Sequence, residues 1–175
     1  MASFTITVSN SSSTQTPAGV INQGDQLTFA VSQSGGPATV YFKDEKKSPF
    51  GTTAVAVPST TRVTSPRSGS FDFDSAIHGG TKLGTVVIEL SVTVSSDTSA
   101  PEDLVTVNGQ KVKWIQGPGG PTKVTFESSA TFGTKDVLMG ETRNAQAVGK
   151  AKYDWDTNGK MRGIGSGTVD VGTGP

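Results

Sequence analysis

An internal duplication constrains this chain more than any single motif does. Phe4-Thr-Ile-Thr-Val8 returns as Leu90-Ser-Val-Thr-Val94, and Gly24-Asp-Gln-Leu-Thr-Phe29 returns as Gly109-Gln-Lys-Val-Lys-Trp114. Gly35-Gly-Pro37 followed by Val40-Tyr-Phe42 returns as Gly119-Gly-Pro121 followed by Val124-Thr-Phe126. Phe50-Gly-Thr52 returns as Phe132-Gly-Thr134, Phe71-Asp-Phe-Asp74 as Tyr153-Asp-Trp-Asp156, and Gly84-Thr-Val86 as Gly167-Thr-Val169. The offset runs from 86 residues (Phe4 to Leu90) to 82 (Phe71 to Tyr153) and back to 83 (Gly84 to Gly167). A period this long exceeds any solenoid unit and reads as two tandem copies of one small domain, residues 1–88 and 89–175.

Within each copy the apolar residues recur at every second position. Phe4/Ile6/Val8, Leu27/Phe29/Val31, Val40/Phe42, Val55/Val57, Phe71/Phe73 and Val86/Ile88 are followed by Leu90/Val92/Val94, Val105/Val107, Val112/Trp114, Val124/Phe126, Tyr153/Trp155 and Val169/Val171. Thr, Ser, Lys and Asp fill the intervening places, as on sheets with one face in the core and one in water. Asn22-Gln-Gly24, Ser34-Gly-Gly-Pro37, Asn108-Gly109 and Gly117-Pro-Gly-Gly-Pro121 supply turn geometry between the runs. The one stretch of helical composition, Glu141–Ala151, is short. The pattern predicts an all-β chain of two tandem antiparallel Greek-key β-sandwiches, each of about seven strands. Trp114 and Trp155 are expected to match Phe29 and Phe73 as core residues, although Trp114, Trp155, Tyr41 and Tyr153 could also line a sugar-binding face. The serine-rich segment Ser9–Pro17 is expected to be an exposed loop. Thr85–Val94 has neither Gly nor Pro, so the last strand of copy one should run into the first of copy two as a stiff join near Glu89.

Charge excludes some functions. The 15 basic and 15 acidic residues balance, and they also nearly balance within each half, so no basic field exists to attract a nucleic-acid backbone. No apolar run is long enough for a membrane-spanning helix. The N-terminus alternates like a strand and lacks the layout of a signal peptide, which leaves the compartment undetermined. The sequence contains no cysteine, which excludes disulfides, thiolate metal sites and cysteine nucleophiles.

Val20-Ile-Asn-Gln-Gly-Asp-Gln-Leu-Thr-Phe29, Gly35-Gly-Pro-Ala-Thr-Val-Tyr-Phe42, Gly69-Ser-Phe-Asp-Phe-Asp74 and Ile77-His-Gly-Gly-Thr-Lys-Leu-Gly-Thr-Val-Val-Ile88 together resemble the landmark order of cupredoxins. That family has a strand after Gly-Asp, a Pro-His-x-Val-x-Phe strand, a Gly-x-Tyr-x-Tyr-x-Cys strand and a His-x-x-Met-x-Gly-x-Val ending. The resemblance covers most of each copy and implies a cupredoxin-like or immunoglobulin-like sandwich. It does not imply blue-copper chemistry, which needs two imidazoles and a thiolate. The first histidine position holds Ala38 and Thr122, and the thiolate position falls near Asp74–Ser75 and Asp156–Thr157. The second histidine position holds His78 in copy one, while copy two has no histidine. The axial position falls on Thr81 or Lys82 in copy one and near Met161 in copy two.

Other chemistry-bearing patterns are incomplete. Asp154-Trp-Asp-Thr-Asn-Gly-Lys160 opens like a calcium loop, with oxygen donors Asp154, Asp156 and Asn158, but the twelfth position is Gly165 where a bidentate Glu should close it. A strand entering a turn is the plainer reading. His78, beside Gly79-Gly80, reads as a turn residue. Gly163-Ile-Gly-Ser-Gly167 misplaces Ser166 for a nucleophile elbow. Gly117-Pro-Gly-Gly-Pro121 lacks the Lys-Ser/Thr and the helix of a phosphate loop. Asp72/Asp74 and Asp154/Asp156 are expected on solvated strand faces rather than as a catalytic pair. The sequence therefore leads to the expectation of a non-enzymatic structural or adhesive protein, without a cofactor, that binds a protein partner or itself. The alternative is a lectin-like carbohydrate-binding protein, assisted by calcium at Asp154, Asp156 and Asn158.

Overall fold

Alternation becomes burial in most principal strands; the expected inward positions Val31 and Val105 are instead exposed, at 40% and 48%, because Val31 ends its strand and Leu104 and Thr106 take the inward places beside Val105. In β1 (Ser3–Val8) the side chains of Phe4, Ile6 and Val8 are buried and Thr5 and Thr7 face outward; in β4 (Gln26–Val31) Leu27 and Phe29 are buried and Thr28 and Ala30 face outward. The computed structural model describes residues 2–43, 48–76, 80–155 and 165–173. The chain divides into two compact units, Met1–Glu89 and Leu90–Pro175. Among the described residues there is no helix, hence none long and apolar enough to cross a membrane.

The first unit contains β1, β2 (Ser13–Thr16), β3 (Ile21–Asn22), β4, β5 (Thr39–Phe42), β6 (Ala54–Ala56), β7 (Ser59–Arg62), β8 (Gly69–Asp74) and β9 (Lys82–Glu89). They form a four-stranded sheet in the order β2-β1-β4-β7 and a five-stranded sheet in the order β3-β9-β8-β5-β6. The second unit contains β10 (Ser91–Val94), β11 (Ser99–Ala100), β12 (Asp103–Val107), β13 (Lys111–Gln116), β14 (Lys123–Phe126), β15 (Asp136–Leu138), β16 (Thr142–Asn144), β17 (Gly149–Trp155) and β18 (Gly165–Gly172). Their orders, β11-β10-β13-β16 and β12-β18-β17-β14-β15, repeat the first unit strand for strand. Each sheet is mainly antiparallel but carries one parallel pair: β1 with β4, β3 with β9, β10 with β13 and β12 with β18.

Each described unit thus has nine strands rather than the expected seven. The additional strands are short and hydroxyl-rich, and apolar alternation cannot reveal them. Part of the Ser9–Pro17 segment, expected as a loop, is one of these: Ser13–Thr16 pairs with β1, and the Ser13 hydroxyl donates to the Leu83 carbonyl at 3.0 Å. The Glu141–Ala151 stretch likewise contributes to β16 and β17. At the join, Ile88 belongs to the first core and Leu90 to the second.

The two cores are built on the same aromatic cluster. In the first, Phe29 meets Phe73 edge-on at 5.6 Å and Phe50 at 6.0 Å, while Phe42 packs against Phe50 and Phe73. In the second, Trp114 meets Tyr153 edge-on at 5.1 Å and Phe132 at 5.8 Å, while Phe126 packs against Phe132 and Tyr153. Such pairs contribute roughly 0.5–1.5 kcal/mol each beyond the area they bury.

This correspondence corrects one expectation. Phe29 does match Trp114, but Phe73 matches Tyr153, not Trp155. Phe42 pairs with Phe73 across the sheet just as Phe126 pairs with Tyr153, and Phe73 faces Gly84 just as Tyr153 faces Gly167. The facing glycines are required: a Cβ at Gly84 would approach Phe73 Cζ to 2.8 Å, and one at Gly167 would strike the Tyr153 ring. The local offset is therefore 80 residues, so Asp74 matches Asp154 and Asp72 matches Lys152.

Candidate functional site

The aromatic residues weighed for sugar binding are mostly interior. Trp114 and Tyr153 are fully buried and Trp155 is 3% exposed, its indole N–H donating to the Ser96 carbonyl at 3.2 Å; Tyr41 is half-buried on β5. Burial pushes the Tyr153 hydroxyl up to about 12. Ser99 lies close enough to act on its ionisation, yet neither hydroxyl meets hydrogen-bonding geometry, and the Trp114 indole N–H also lacks a partner. All three buried polar atoms are therefore unsatisfied. In the first unit Phe73 and Phe29 occupy the same places and carry no polar atom there.

Of the three calcium-loop residues, Asp154 lies on β17, half-buried, while Asp156 and Asn158 fall outside the described residues, as do His78 and Met161. Asp154 stands in a cross-strand row, Asp136–Thr125–Asp154–Ser166. Asp136 is already committed: Lys123 Nζ donates to one of its oxygens at 2.6 Å and Thr125 Oγ1 to the other at 2.8 Å. These contacts hold its carboxyl below the ordinary range, the Lys123 hydrogen bond acting most strongly. No group of three or more His, Cys, Asp or Glu that could hold a metal ion occurs among the described residues.

A partly open cleft of about 310 Å³ lies in the first unit, lined by Lys43, Arg67, Ser68, Gly69, Ser70, Phe71 and Asp72. Three elements build it. Lys43 follows the end of β5, Asp72 projects from the outward face of β8, and Arg67 sits on the turn entering β8. That turn is pinned by buried Ser65, whose hydroxyl accepts from Arg67 N at 3.2 Å and donates to Arg67 O at 3.0 Å. Ser65 N in turn donates to the Pro49 carbonyl, and Gln23 Nε2 donates to the Ser65 carbonyl at 2.8 Å. On the wall, Asp72 receives Lys82 Nζ at 2.8 Å and Thr85 Oγ1 at 2.6 Å. The Lys82 hydrogen bond, then that of Thr85, holds its carboxyl below the usual range, and Lys43 adds a smaller Coulombic pull. Nothing in the sequence flagged this cleft, because its charges come from separate turns and strands.

A second outward feature lies on the four-stranded sheet of the first unit. The registers place Thr16, Thr5, Thr28 and Thr60 in one row across all four strands, with Thr14, Thr7 and Ala30 in the next. The Thr28 and Thr60 hydroxyls are 2.9 Å apart. The corresponding row of the second unit reads Ser91–Lys113–Thr142.

No protein-family model matches the chain, and no curated protein matches it. Solved structures with some likeness are cupredoxin-like copper enzymes. A copper-containing nitrite reductase from Thermus scotoductus is 9% identical with a TM-score of 0.36, the alignment covering 99% of this chain and 68% of that one. A blue copper oxidase from Nitrosomonas europaea is 11% identical with a TM-score of 0.31, covering 97% and 86%. A copper nitrite reductase from the same organism is 9% identical with a TM-score of 0.32, covering 98% and 93%. The copper in those names belongs to those proteins.

Proposed function

We propose that the chain is a non-enzymatic structural or adhesive protein, built from two degenerate cupredoxin-like sandwiches, that binds partners through its outer surfaces. One observation carries the reading: the interior is repeated, while much of the exterior is not. The aromatic cluster, the facing glycine and the sheet order recur in both units. The outward positions diverge in kind. Lys43 is matched by Glu127, Asp72 by Lys152 and Thr28 by Lys113, and the turn that carries Arg67 is matched by the shorter, uncharged Gln146-Ala147-Val148. A core that must only fold can be copied with small changes, whereas surfaces that recognise different partners need different chemistry. A blue-copper centre does not fit this chain, because the sequence has no cysteine to supply its thiolate.

The test is sedimentation velocity over a wide concentration range, paired with adsorption of the full chain to immobilised protein and polysaccharide surfaces. Concentration-dependent association or saturable adsorption is expected, and charge reversals at outward positions should weaken it. A chain that stays monomeric, adsorbs to nothing and turns over a substrate would overturn the reading.

A further inference from the structure

The cleft beside the start of β8 has the composition of a small anion site. Among the described residues that line it are two cations, Lys43 and Arg67, and one carboxylate, Asp72, which is already paired with Lys82. Neither Lys43 nor Arg67 forms an ion pair among the described residues. The guanidinium of a half-buried Arg offers five donors in a planar fork that fits a carboxylate or sulfate with two parallel bonds. Its backbone is fixed by the Ser65 bonds, so the ordering cost of binding falls on the side chain and not on the turn. The surplus charge is not required by the fold, because the second unit has Glu127 in place of Lys43 and the uncharged Gln146-Ala147-Val148 in the turn that corresponds to the one carrying Arg67.

The remaining lining is uncharged, two serines (Ser68 and Ser70) with Gly69 and the aromatic Phe71. Ser70 and the backbone around Gly69 border the same space, and a Cβ at Gly69 would meet nothing within 4 Å, so this wall is open to a ligand. A volume near 310 Å³ lies at the small end of ligand sites and leaves room for a single sugar ring.

We propose that this cleft binds one acidic sugar residue, with its carboxylate or sulfate held between Arg67 and Lys43 and its hydroxyls turned toward the Ser70 wall. The proposal rests on the reading of the chain as a surface-binding protein and names the ligand class of one of its surfaces.

The test is an amide-shift titration by NMR on the full chain, using glucuronate as the probe, with glucose and acetate as separate arms. Glucuronate should move the amides of Lys43 and residues 67–72 saturably, and adding 0.5 M salt should weaken the effect, since at about 1 M the screening length is only about 3 Å. Glucose, lacking the anion, and acetate, lacking the ring, should each bind at least tenfold more weakly. Arg67→Ala should lower glucuronate affinity at least tenfold, and Lys43→Glu, which installs the second unit's residue, should abolish it. Both variants should retain wild-type amide dispersion outside the cleft. Absence of any saturable shift overturns the proposal, as does acetate binding as tightly as glucuronate, or full affinity in Lys43→Glu. Any of these results would leave self-association and adsorption, measured separately, to judge the surface-binding reading.

Discussion

Replacing Tyr153 by Phe should leave the second sandwich as stable as before or make it more so. The ring is fully buried between Trp114, Phe126 and Trp155, and its hydroxyl has no hydrogen-bond partner. An unsatisfied buried polar group costs about 1–3 kcal/mol, and Phe73 shows that the same site accepts a bare ring. Removing the oxygen forfeits its few packing contacts, so the expected gain at neutral pH is about 0–2 kcal/mol. The alkaline limb gives a second magnitude. The hydroxyl ionises near 10.0 in the unfolded chain and at about 12 in the fold. A group whose folded pKa is raised contributes no pH dependence below the unfolded value, and stability then falls as pH climbs from 10 toward 12. One pH unit into that window the wild type should have lost about 1.4 kcal/mol, rising to about 2.7 kcal/mol once the window is crossed. Tyr153→Phe should lack this loss. Both tryptophans, Trp114 and Trp155, lie in the second unit, so urea unfolding followed by tryptophan fluorescence reports on that unit alone. Destabilisation by more than about 1 kcal/mol at pH 7 would mean that the hydroxyl does have a partner, and the reasoning would fail. Equal loss in both proteins between pH 10 and 11 would refute the assigned pKa shift.

Other outcomes follow from the same geometry. Gly36→Ala should destabilise the first unit by about 1–3 kcal/mol in urea unfolding, because a Cβ there would fall against the Val8 carbonyl and lie 3.2 Å from its carbon. Lys123→Ala should let the Asp136 carboxyl titrate closer to the ordinary range in an NMR pH titration, while changing stability by less than about 1 kcal/mol, since the pair is about half exposed. As pH falls through the depressed folded value of Asp136 the wild type should lose this small contribution, and the variant should not. Millimolar calcium should leave the melting temperature unchanged in wild type and in Asp154→Ala; a cation at 100 times its dissociation constant would add about 2.7 kcal/mol, and a shift of that size removed by the substitution would restore the calcium-loop reading.

Much of the architecture was legible because period-2 alternation and glycine punctuation survive in both copies. Phe4, Ile6 and Val8 are buried as their pattern requires, and Phe29 and Trp114 hold equivalent places. The register of the penultimate strand was misread for a physical reason. A slip of one residue in a strand turns every side chain to the opposite face and would have been obvious, but a slip of two keeps each face intact. Phe71-Asp-Phe-Asp74 and Tyr153-Asp-Trp-Asp156 therefore align well by eye while standing two residues apart in the fold. The corrective signal was Gly69 against Gly149, each two residues before Phe71 and Ala151 respectively. The short edge strands Ser13–Thr16 and Ser59–Arg62 escaped notice because hydroxyl side chains alternate without an apolar partner. The cleft is not legible in the sequence because Lys43 lies far from Arg67 and Asp72 along the chain and meets them only when β5 and β8 pair. Of the proposed calcium donors, only Asp154 lies among the described residues, beside an Asp136 that is already engaged.

The contrast between a repeated interior and a divergent exterior depends on the register that matches Phe73 with Tyr153, because that register decides which outward residues correspond. Ring-to-ring NOEs measure it directly. The account predicts strong contacts from the Tyr153 ring to both Trp114 and Phe126, at centroid separations of 5.1 Å and 5.3 Å, mirrored by Phe73 with Phe29 and Phe42 in the first unit. If Trp155 instead bridges Trp114 and Phe126, the strand is two residues out of place, Asp72 corresponds to Asp154 rather than to Lys152, and the outward divergence of that strand, part of what the functional reading stands on, is lost.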